Sequence, residues 1–404
     1  MKTERIISFV DQAQVLRTWL LRNVLLPLGD GITGQQMMNR LKFLKKAQWW
    51  SPEQVHEYRD SLLASLICVS YQEVPFYREI MDNAGLKSSD ICKIGDLQKL
   101  PIVSKDDLRK GFPDRVSRKT GQKTYIACTS GSTGKNFCVV EDAQTAGWYR
   151  ATFMLELGWA GWNIGEPHMQ TGMTLARSFD RRLKDYFLNC TYISAFDLSD
   201  SRLEANLALL EKHKIRHLWG YAGSLYLLAR RAKQLGWNQP LKTVVSWGDM
   251  LYRHYRETIE SAFQTSVIDT YGCSEGMHIA SQCKENGIYH IHSLDVCVEF
   301  LDDDGNPVSD GEPGNIIVTR LHPGPMPLIR YKIGDIGTPL SGKCPCGRGF
   351  DIMGEIQGRD TDIVITPSGN RLIAHYFTGI LEHFYEIDSF QVYQENIDSI
   401  TLKI

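Results

Sequence analysis

The chain has 404 residues, of which 43% are hydrophobic and 23% charged, with a formal net charge of −2. Such a chain holds two or three domains, or one large domain with a small appendage, around an ample core. The near-neutral balance gives no support for a nucleic-acid partner.

The N-terminus lacks an apolar segment followed by a small-residue cleavage site, so no secretory signal is expected. The apolar run at residues 19–27 is broken by Arg22 and Pro27 and is too short to span a bilayer. Ten cysteines are scattered rather than framed, which fits reduced thiols in a cytoplasm.

Residues 53–70 carry Val55, Tyr58, Leu62, Leu63 and Leu66 at helical spacing, and Ser51 with Pro52 suits an N-cap. Ser104 with Asp107 three residues on is a second cap. Residues 124–128 read as a short strand. It runs into Thr129, Ser130, Gly131, Ser132, Thr133, Gly134 and Lys135. Four hydroxyls, two glycines and a lysine make a loop suited to a polyphosphate. Asn136 stands where a nucleotide-hydrolase P-loop has Ser or Thr, and residues 137–140 look like a strand rather than a helix. The loop is therefore expected on a hairpin. An ordinary Gly/Ser surface turn is the plainer alternative.

From about residue 120 to 270, strand-like runs (215–219, 243–247, 266–269) alternate with helical ones (224–235, 252–263). This is the pattern of an α/β sheet with ligand loops at its strand ends. Tyr271, Gly272, Cys273, Ser274, Glu275 and Gly276 follow the last of these strands. The tyrosine can cover an adenine, the serine can donate to a phosphate, and the glutamate can hold hydrated Mg²⁺. The same residues spell G-x-S-x-G, the nucleophile elbow of hydrolases, which would need a helix directly after the turn. After residue 299 the pattern becomes β-rich. Asp335, after the strand-like run that includes Tyr331, can accept bonds from ribose hydroxyls or be a turn residue beside Gly334. Gly358 and Arg359 open a charged turn that reads as a linker.

Cys344 and Cys346 share one tight turn, and Cys283 precedes His290 in a C-x₆-H arrangement. Brought together, they form a Cys₃His zinc tetrahedron with no open position and hence no catalytic role. His292 is the rival ligand, two residues on and on the same side of a strand. Three unrelated cysteines and a surface histidine are the alternative. Cys273 and Cys297 read as core thiols.

Taken in order, the motifs at residues 129–135, 271–276, 331–335 and 358–362 resemble the adenylate-forming superfamily of acyl-CoA synthetases. The closer likeness is to its phenylacetate–CoA ligase-like branch, which includes relatives from capsule and other polysaccharide gene clusters. Residues 74–77, 96–105 and 326–331 resemble that branch's pattern as well. The likeness implies ATP-dependent activation of a carboxylic or amino acid as an acyl-adenylate, then transfer to a thiol, with CoA as co-substrate. Lys135, Ser274 and Glu275 would be catalytic. Thr129 to Gly134, Gly248, Asp249, Tyr271, Gly272, Asp335 and Arg359 would bind ATP and its Mg²⁺. Tyr221, Gly223 and Ser224 would border the acyl pocket. The branch often has cysteine and histidine at the zinc positions.

The fold class expected is α/β. A large N-terminal domain, residues 1–358, would comprise a helical lead-in (1–120), an α/β core (120–290) and a β-rich part (291–358). A small α+β C-terminal domain (359–404) would follow it, roughly half of ordinary size. The family's C-terminal lysine has no counterpart here, because Lys403 sits in no matching motif. Three other functions remain in play. They are acyl or aminoacyl transfer to an amine or hydroxyl, a non-catalytic nucleotide- or acyl-binding module, and a hydrolase. A cytoplasmic location is expected, and a homodimer is left open.

Overall fold

Two caps visible in the sequence set the helical lead-in. The computed structural model describes residues 16–128, 137–173, 177–359, 363–368, 371–373, 377 and 390–404. A 22-residue helix, Pro52–Glu73, begins at Ser51, whose hydroxyl accepts from the Gln54 N–H while the Gln54 side chain accepts from the Ser51 N–H. It ends at Val74 because the residue before a proline is held extended, and Pro75 then starts the helix Pro75–Asn83. Ser104 and Asp107 form the same reciprocal cap on the helix Lys105–Lys110.

The strands are β1 (Thr124–Cys128), β2 (Cys138–Asp142), β3 (His168–Gly172), β4 (Cys190–Ser194), β5 (His217–Tyr221), β6 (Thr243–Trp247) and β7 (Val267–Cys273). Then come β8 (Met277–Gln282), β9 (Tyr289–Ile291), β10 (Val296–Leu301), β11 (Gly314–Arg320), β12 (Tyr331–Leu340) and β13 (Ile352–Arg359). The last four are β14 (Ile363–Ile365), β15 (Arg371–Ile373), β16 (Gln391–Asn396) and β17 (Ser399–Lys403).

Eleven of these form one sheet in the order β10-β11-β12-β13-β9-β8-β7-β6-β5-β3-β4. Strands β3 to β7 are parallel. β5 and β6 are buried almost along their length, as strands covered on both faces must be. The helices Asp200–Lys212, Ala222–Gln234 and Arg253–Phe263 supply Leu207, Leu228 and Ile259 to the core over β5 to β7. From β7 onward each pairing is antiparallel. A second core joins Leu63, Leu66 and Ile67 of the long helix to Val296, Val318 and Tyr331 of the antiparallel half.

The α/β class is the one found, and the β-rich part continues the same sheet rather than forming a sheet of its own. Two local expectations change. Asp335 lies inside β12, not in a turn, and Gly358 and Arg359 end β13, so they belong to the sheet and not to a linker. The ladder holds both places because β12 and β13 pair directly, Asp335 opposite Arg359. Residues 360–362 lie outside the described residues. The thiols also differ from expectation, since Cys128 and Cys138 face each other across the β1–β2 ladder and are joined as a disulfide. Eight other cysteines are free. Among the described residues, no helix is long and apolar enough to cross a membrane.

The lead-in is tied to the loop between β12 and β13 at Gly349, whose N–H donates to the Gln48 carbonyl at 3.0 Å. A β-carbon at Gly349 would stand 1.9 Å from the Trp50 carbonyl oxygen, a backbone atom that cannot swing aside. Gly349→Ala is expected to lower stability by roughly 1–3 kcal/mol, the usual cost of overpacking, measured by urea denaturation. An unchanged midpoint would show that this contact yields freely.

Candidate active site

The turn between β7 and β8 carries Ser274, Glu275 and Gly276, and Gly276 takes a left-handed φ of 82°. The path is strand, turn, strand, so the G-x-S-x-G match has no helix behind it and is not a nucleophile elbow. Ser274 is exposed at a large cavity. Glu275 is buried and accepts from the Tyr331 hydroxyl at 2.6 Å. Lys105 Nζ lies 3.6 Å from the same oxygen.

Lys105 was not anticipated as a site residue. Val103 adds alongside β12: its N–H donates to the Arg330 carbonyl, and its own carbonyl accepts from Lys332. Ser104 then caps the next helix, so Lys105 begins that helix beside Glu275. The cap was legible in the sequence. The strand-like docking of Val103 was not.

Tyr271 mirrors this arrangement. Its ring is packed in the core, only 8% exposed, and its hydroxyl donates to Asp335 at 2.7 Å. A ring stacked openly on adenine needs a free face, and this one is largely committed to the protein. In this position Tyr271 holds Asp335. Burial raises the Asp335 carboxyl above its ordinary range, opposed by the Tyr271 hydrogen bond. Arg359 Nε lies 3.9 Å from the other carboxylate oxygen.

The hairpin that carries residues 129–135 is present as β1 and β2, in register from Thr124 opposite Asp142 to Cys128 opposite Cys138. Thr129, Ser130, Gly131, Ser132, Thr133, Gly134 and Lys135 themselves lie outside the described residues. The hairpin is anchored through Glu141, whose carboxylate accepts from Arg320 at 2.7 Å with both groups buried. Arg320 also donates to the Met326 carbonyl. A β-carbon on Gly276 would stand 3.1 Å from Glu141, so the Ser274 turn lies against β2.

The cavity, of about 2860 Å³, reaches Gly272, Ser274 and Arg359 and continues past β5 and β6. Gly248 and Asp249 follow β6 in its wall. Gly248 has a φ of 77°, and the Tyr221 ring lies where its β-carbon would be. Gly223 and Ser224 line the wall too, but the Ser224 hydroxyl is spent on the Ala195 carbonyl at 2.9 Å. Burial raises the Asp249 carboxyl, partly offset by the Gly223 N–H.

Away from this cavity, Cys283, His290, Cys344 and Cys346 place one ligand atom each within 4.8 Å of one another. Cys344 Sγ lies 3.7 Å from Cys283 Sγ, and Cys346 Sγ lies 3.2 Å from His290 Nε2. His292 is elsewhere, with its Nε2 3.1 Å from Glu156. Of the two candidate histidines, the geometry groups His290 with the cysteines.

Residues 51–324 match the AMP-binding enzyme family. The chain belongs to that family. This AMP-binding enzyme is 24% identical over 332 residues to the phenylacetate-coenzyme A ligase of Thermus thermophilus, covering 79% of this chain and 73% of the relative. It is 28% identical over 322 residues to the phenylacetate-coenzyme A ligase of Escherichia coli, covering 74% and 70%. Protein CapK of Staphylococcus aureus is 26% identical over 269 residues, covering 64% and 58%. Among solved structures, 2-hydroxyisobutyryl-CoA ligase in the postadenylation state superimposes with a TM-score of 0.70 at 17% identity, over 85% of this chain and 76% of that one. That likeness concerns the fold.

Asp269, two residues before Tyr271, accepts from the Tyr289 hydroxyl at 2.5 Å and from Ser246. Burial pushes its carboxyl up to about 6. Between roughly pH 4 and 6 the folded protein then keeps a proton that the unfolded chain has released, so this group's contribution to stability falls as pH rises through that window. The denaturation free energy of wild type minus that of Asp269→Asn should therefore fall from pH 4 to 6. A flat difference would assign the carboxyl an ordinary pKa, and a rising one a depressed pKa.

Proposed function

We propose that this chain activates a carboxylic acid with ATP and passes the acyl group to a thiol, with CoA as the acceptor. A carboxylate oxygen of the acid attacks the α-phosphorus, and the bond to pyrophosphate breaks. The thiol sulfur then attacks the acyl carbon, AMP leaves with the carboxyl oxygen, and the thiol proton goes to solvent. The observation that carries this reading is the reciprocal placement of Glu275 and Asp335, each held by a tyrosine, beside a turn open to a deep cavity.

Two anions react here, so charge control dominates. In this reading Ser130 to Lys135 embrace the β- and γ-phosphates, Ser274 meets the α-phosphate, and Gly248 with Asp249 lines the adenine site. Asp335 takes the ribose with Arg359 near it, and Tyr271 fixes Asp335. Glu275 suits Mg²⁺, since one carboxylate plus substrate phosphates is a common setting for that ion. Bound there, Mg²⁺ would neutralise phosphate charge. Lys105 adds a second positive charge at the same carboxylate. Residues 1–358 would form the body, with Arg359 closing its strand β13, and the residues after it a C-terminal unit. The reactants place the protein in the cytoplasm, where ATP and CoA are supplied.

Cys283, His290, Cys344 and Cys346 fit structural zinc. A tetrahedron with Zn–S bonds of about 2.3 Å has S···S edges of about 3.8 Å, close to the 3.7 Å between Cys283 and Cys344. The four residues would close the coordination sphere and pin the β8–β9 turn to the loop before β13, away from the reacting atoms.

ATP–pyrophosphate exchange across a panel of acids tests the main reading. Glu275→Gln should lower exchange at least about tenfold, about 1.4 kcal/mol of barrier, with an unchanged melting temperature. Equal exchange in that variant would remove Glu275 from the chemistry. For the metal, the purified protein should hold about one zinc per chain by plasma emission, and Cys344→Ser should lose it and melt earlier. A metal-free protein of undiminished stability would refute the zinc assignment.

A further inference from the structure

Residues 16–33 are helical throughout, passing through the π-helical turn Leu21–Leu25 into the helix Leu26–Thr33, and they are apolar on two sides. On the inner side Leu21 belongs to a buried core, with Leu25 and Leu26 packed against it. On the outer side Leu16, Trp19, Leu20, Leu28 and Ile32 stand exposed, Leu16 at 66% and Ile32 at 87%. A helix that served only the inner core would carry polar residues outside. Beside it lies the helix Phe179–Leu188, whose Leu188 packs on the same core. Its Phe179, Leu183 and Tyr186 recur at spacings of four and three, so they share a face, and all three are exposed, Phe179 at 81%. Arg17 bridges the two helices, its guanidinium 4.4 Å from the centre of the Tyr186 ring. Eight large apolar or aromatic side chains thus stand out on two adjoining helices, where a folded chain ordinarily exposes them singly.

Charge decides what covers them. The two segments hold five cations, Arg17, Arg22, Arg181, Arg182 and Lys184, against three acids, Asp30, Asp180 and Asp185. The whole chain carries −2, so the sign is reversed here. Two of the acids are already engaged. Asp30 accepts from the Met37 and Met38 N–H groups, and Asp185 binds Arg177, which precedes its helix. A second copy seated face to face about a two-fold axis would set this cationic surface against itself. None of the eight side chains lines the large cavity, and side chains standing so far clear form no groove for a peptide. An anionic bilayer meets both demands. Its hydrocarbon boundary takes the leucines and Phe179, its headgroups take the cations, and Trp19 and Tyr186 suit the level between.

We propose that residues 16–33 and the helix Phe179–Leu188 together form a docking surface for an anionic lipid bilayer. The contact is peripheral, since among the described residues no helix is long and apolar enough to cross a membrane. The inner sides of the same helices keep their place in the core, so docking requires no rearrangement of the fold. The inference goes beyond acid activation and does not depend on it.

Flotation of the full chain with lipid vesicles tests this. Phosphatidylcholine vesicles carrying about one-quarter phosphatidylglycerol should bind the chain at least about tenfold more tightly than phosphatidylcholine alone. Raising the salt from about 0.05 M to about 0.5 M should weaken that binding. These comparisons use the wild-type chain and decide the matter even where a variant is destabilised. Trp19→Ser combined with Leu20→Ser should weaken binding to the anionic vesicles at least about tenfold, with an unchanged melting temperature. Arg22→Glu combined with Arg182→Glu should do the same to the anionic vesicles and leave binding to phosphatidylcholine as it was. No binding to anionic vesicles, equal binding to both compositions, or binding that survives Trp19→Ser with Leu20→Ser would overturn the proposal. So would a wild-type dimer that ignores vesicles and dissociates in that double variant, which would assign the face to a second copy.

Discussion

Two phenol–carboxylate bonds cross between the same pair of elements in opposite directions. Tyr271 of β7 donates to Asp335 of β12, and Tyr331 of β12 donates to Glu275 in the turn after β7. Strands β8, β9 and β13 lie between β7 and β12 in the sheet, so no ladder joins the two directly. The reciprocal bonds do. Each holds an acidic group that burial would otherwise leave costly, and each carboxylate is held by a side chain rooted in the opposite element. Site and scaffold are thus one arrangement, since neither carboxylate keeps its place without the other strand's tyrosine.

The buried Arg320–Glu141 pair extends this constraint to the hairpin. A pair so enclosed contributes little net stability compared with an apolar pair, yet breaking it leaves a bare charge inside. Its consequence is positional. It locks β2 to the end of β11, and Gly276 nestles against Glu141 because it lacks a β-carbon. The strands on either side of residues 129–135 are therefore tied into the fold by this ion pair, with Gly276 against Glu141. The disulfide of Cys128 with Cys138 closes that hairpin at its other end.

Much of this was legible in the sequence where chemistry and local periodicity coincide. Ser51 and Ser104 announced their helices through capping patterns, and residues 243–247 are β6 as read. The run of residues 129–140 announced a loop between two strands, and β1 and β2 pair on either side of it. What escaped depended on contacts between distant segments. Asp335 read as a carboxylate just after a strand, with a turn beside Gly334 as the alternative, and only the pairing of β12 with β13 shows the strand continuing through that glycine. Lys105 is invisible as a site residue until Val103 docks on β12. Arg320 and Glu141 are 179 positions apart, with nothing in either neighbourhood that marks them as partners.

His290 and His292 carry the same lesson at closer range. Side chains two positions apart in a strand share a face, so the sequence offers both to the cysteine cluster. β9 ends at Ile291, and His292 lies just beyond it, where its N–H donates to the Ile279 carbonyl. Trp159 then stands against both rings, edge-on to His290 at 5.7 Å and stacked on His292 at 5.2 Å. Gln48 anchors the indole by accepting from its N–H at 2.8 Å. One tryptophan thus separates two polar clusters of different character. On one side lie three thiols and an imidazole, a set that suits a closed metal site. On the other lies a carboxylate shared by two imidazoles, one of which reaches the cavity. Had His292 joined the cysteines, the buried Glu156 carboxylate would keep only His278 beside it.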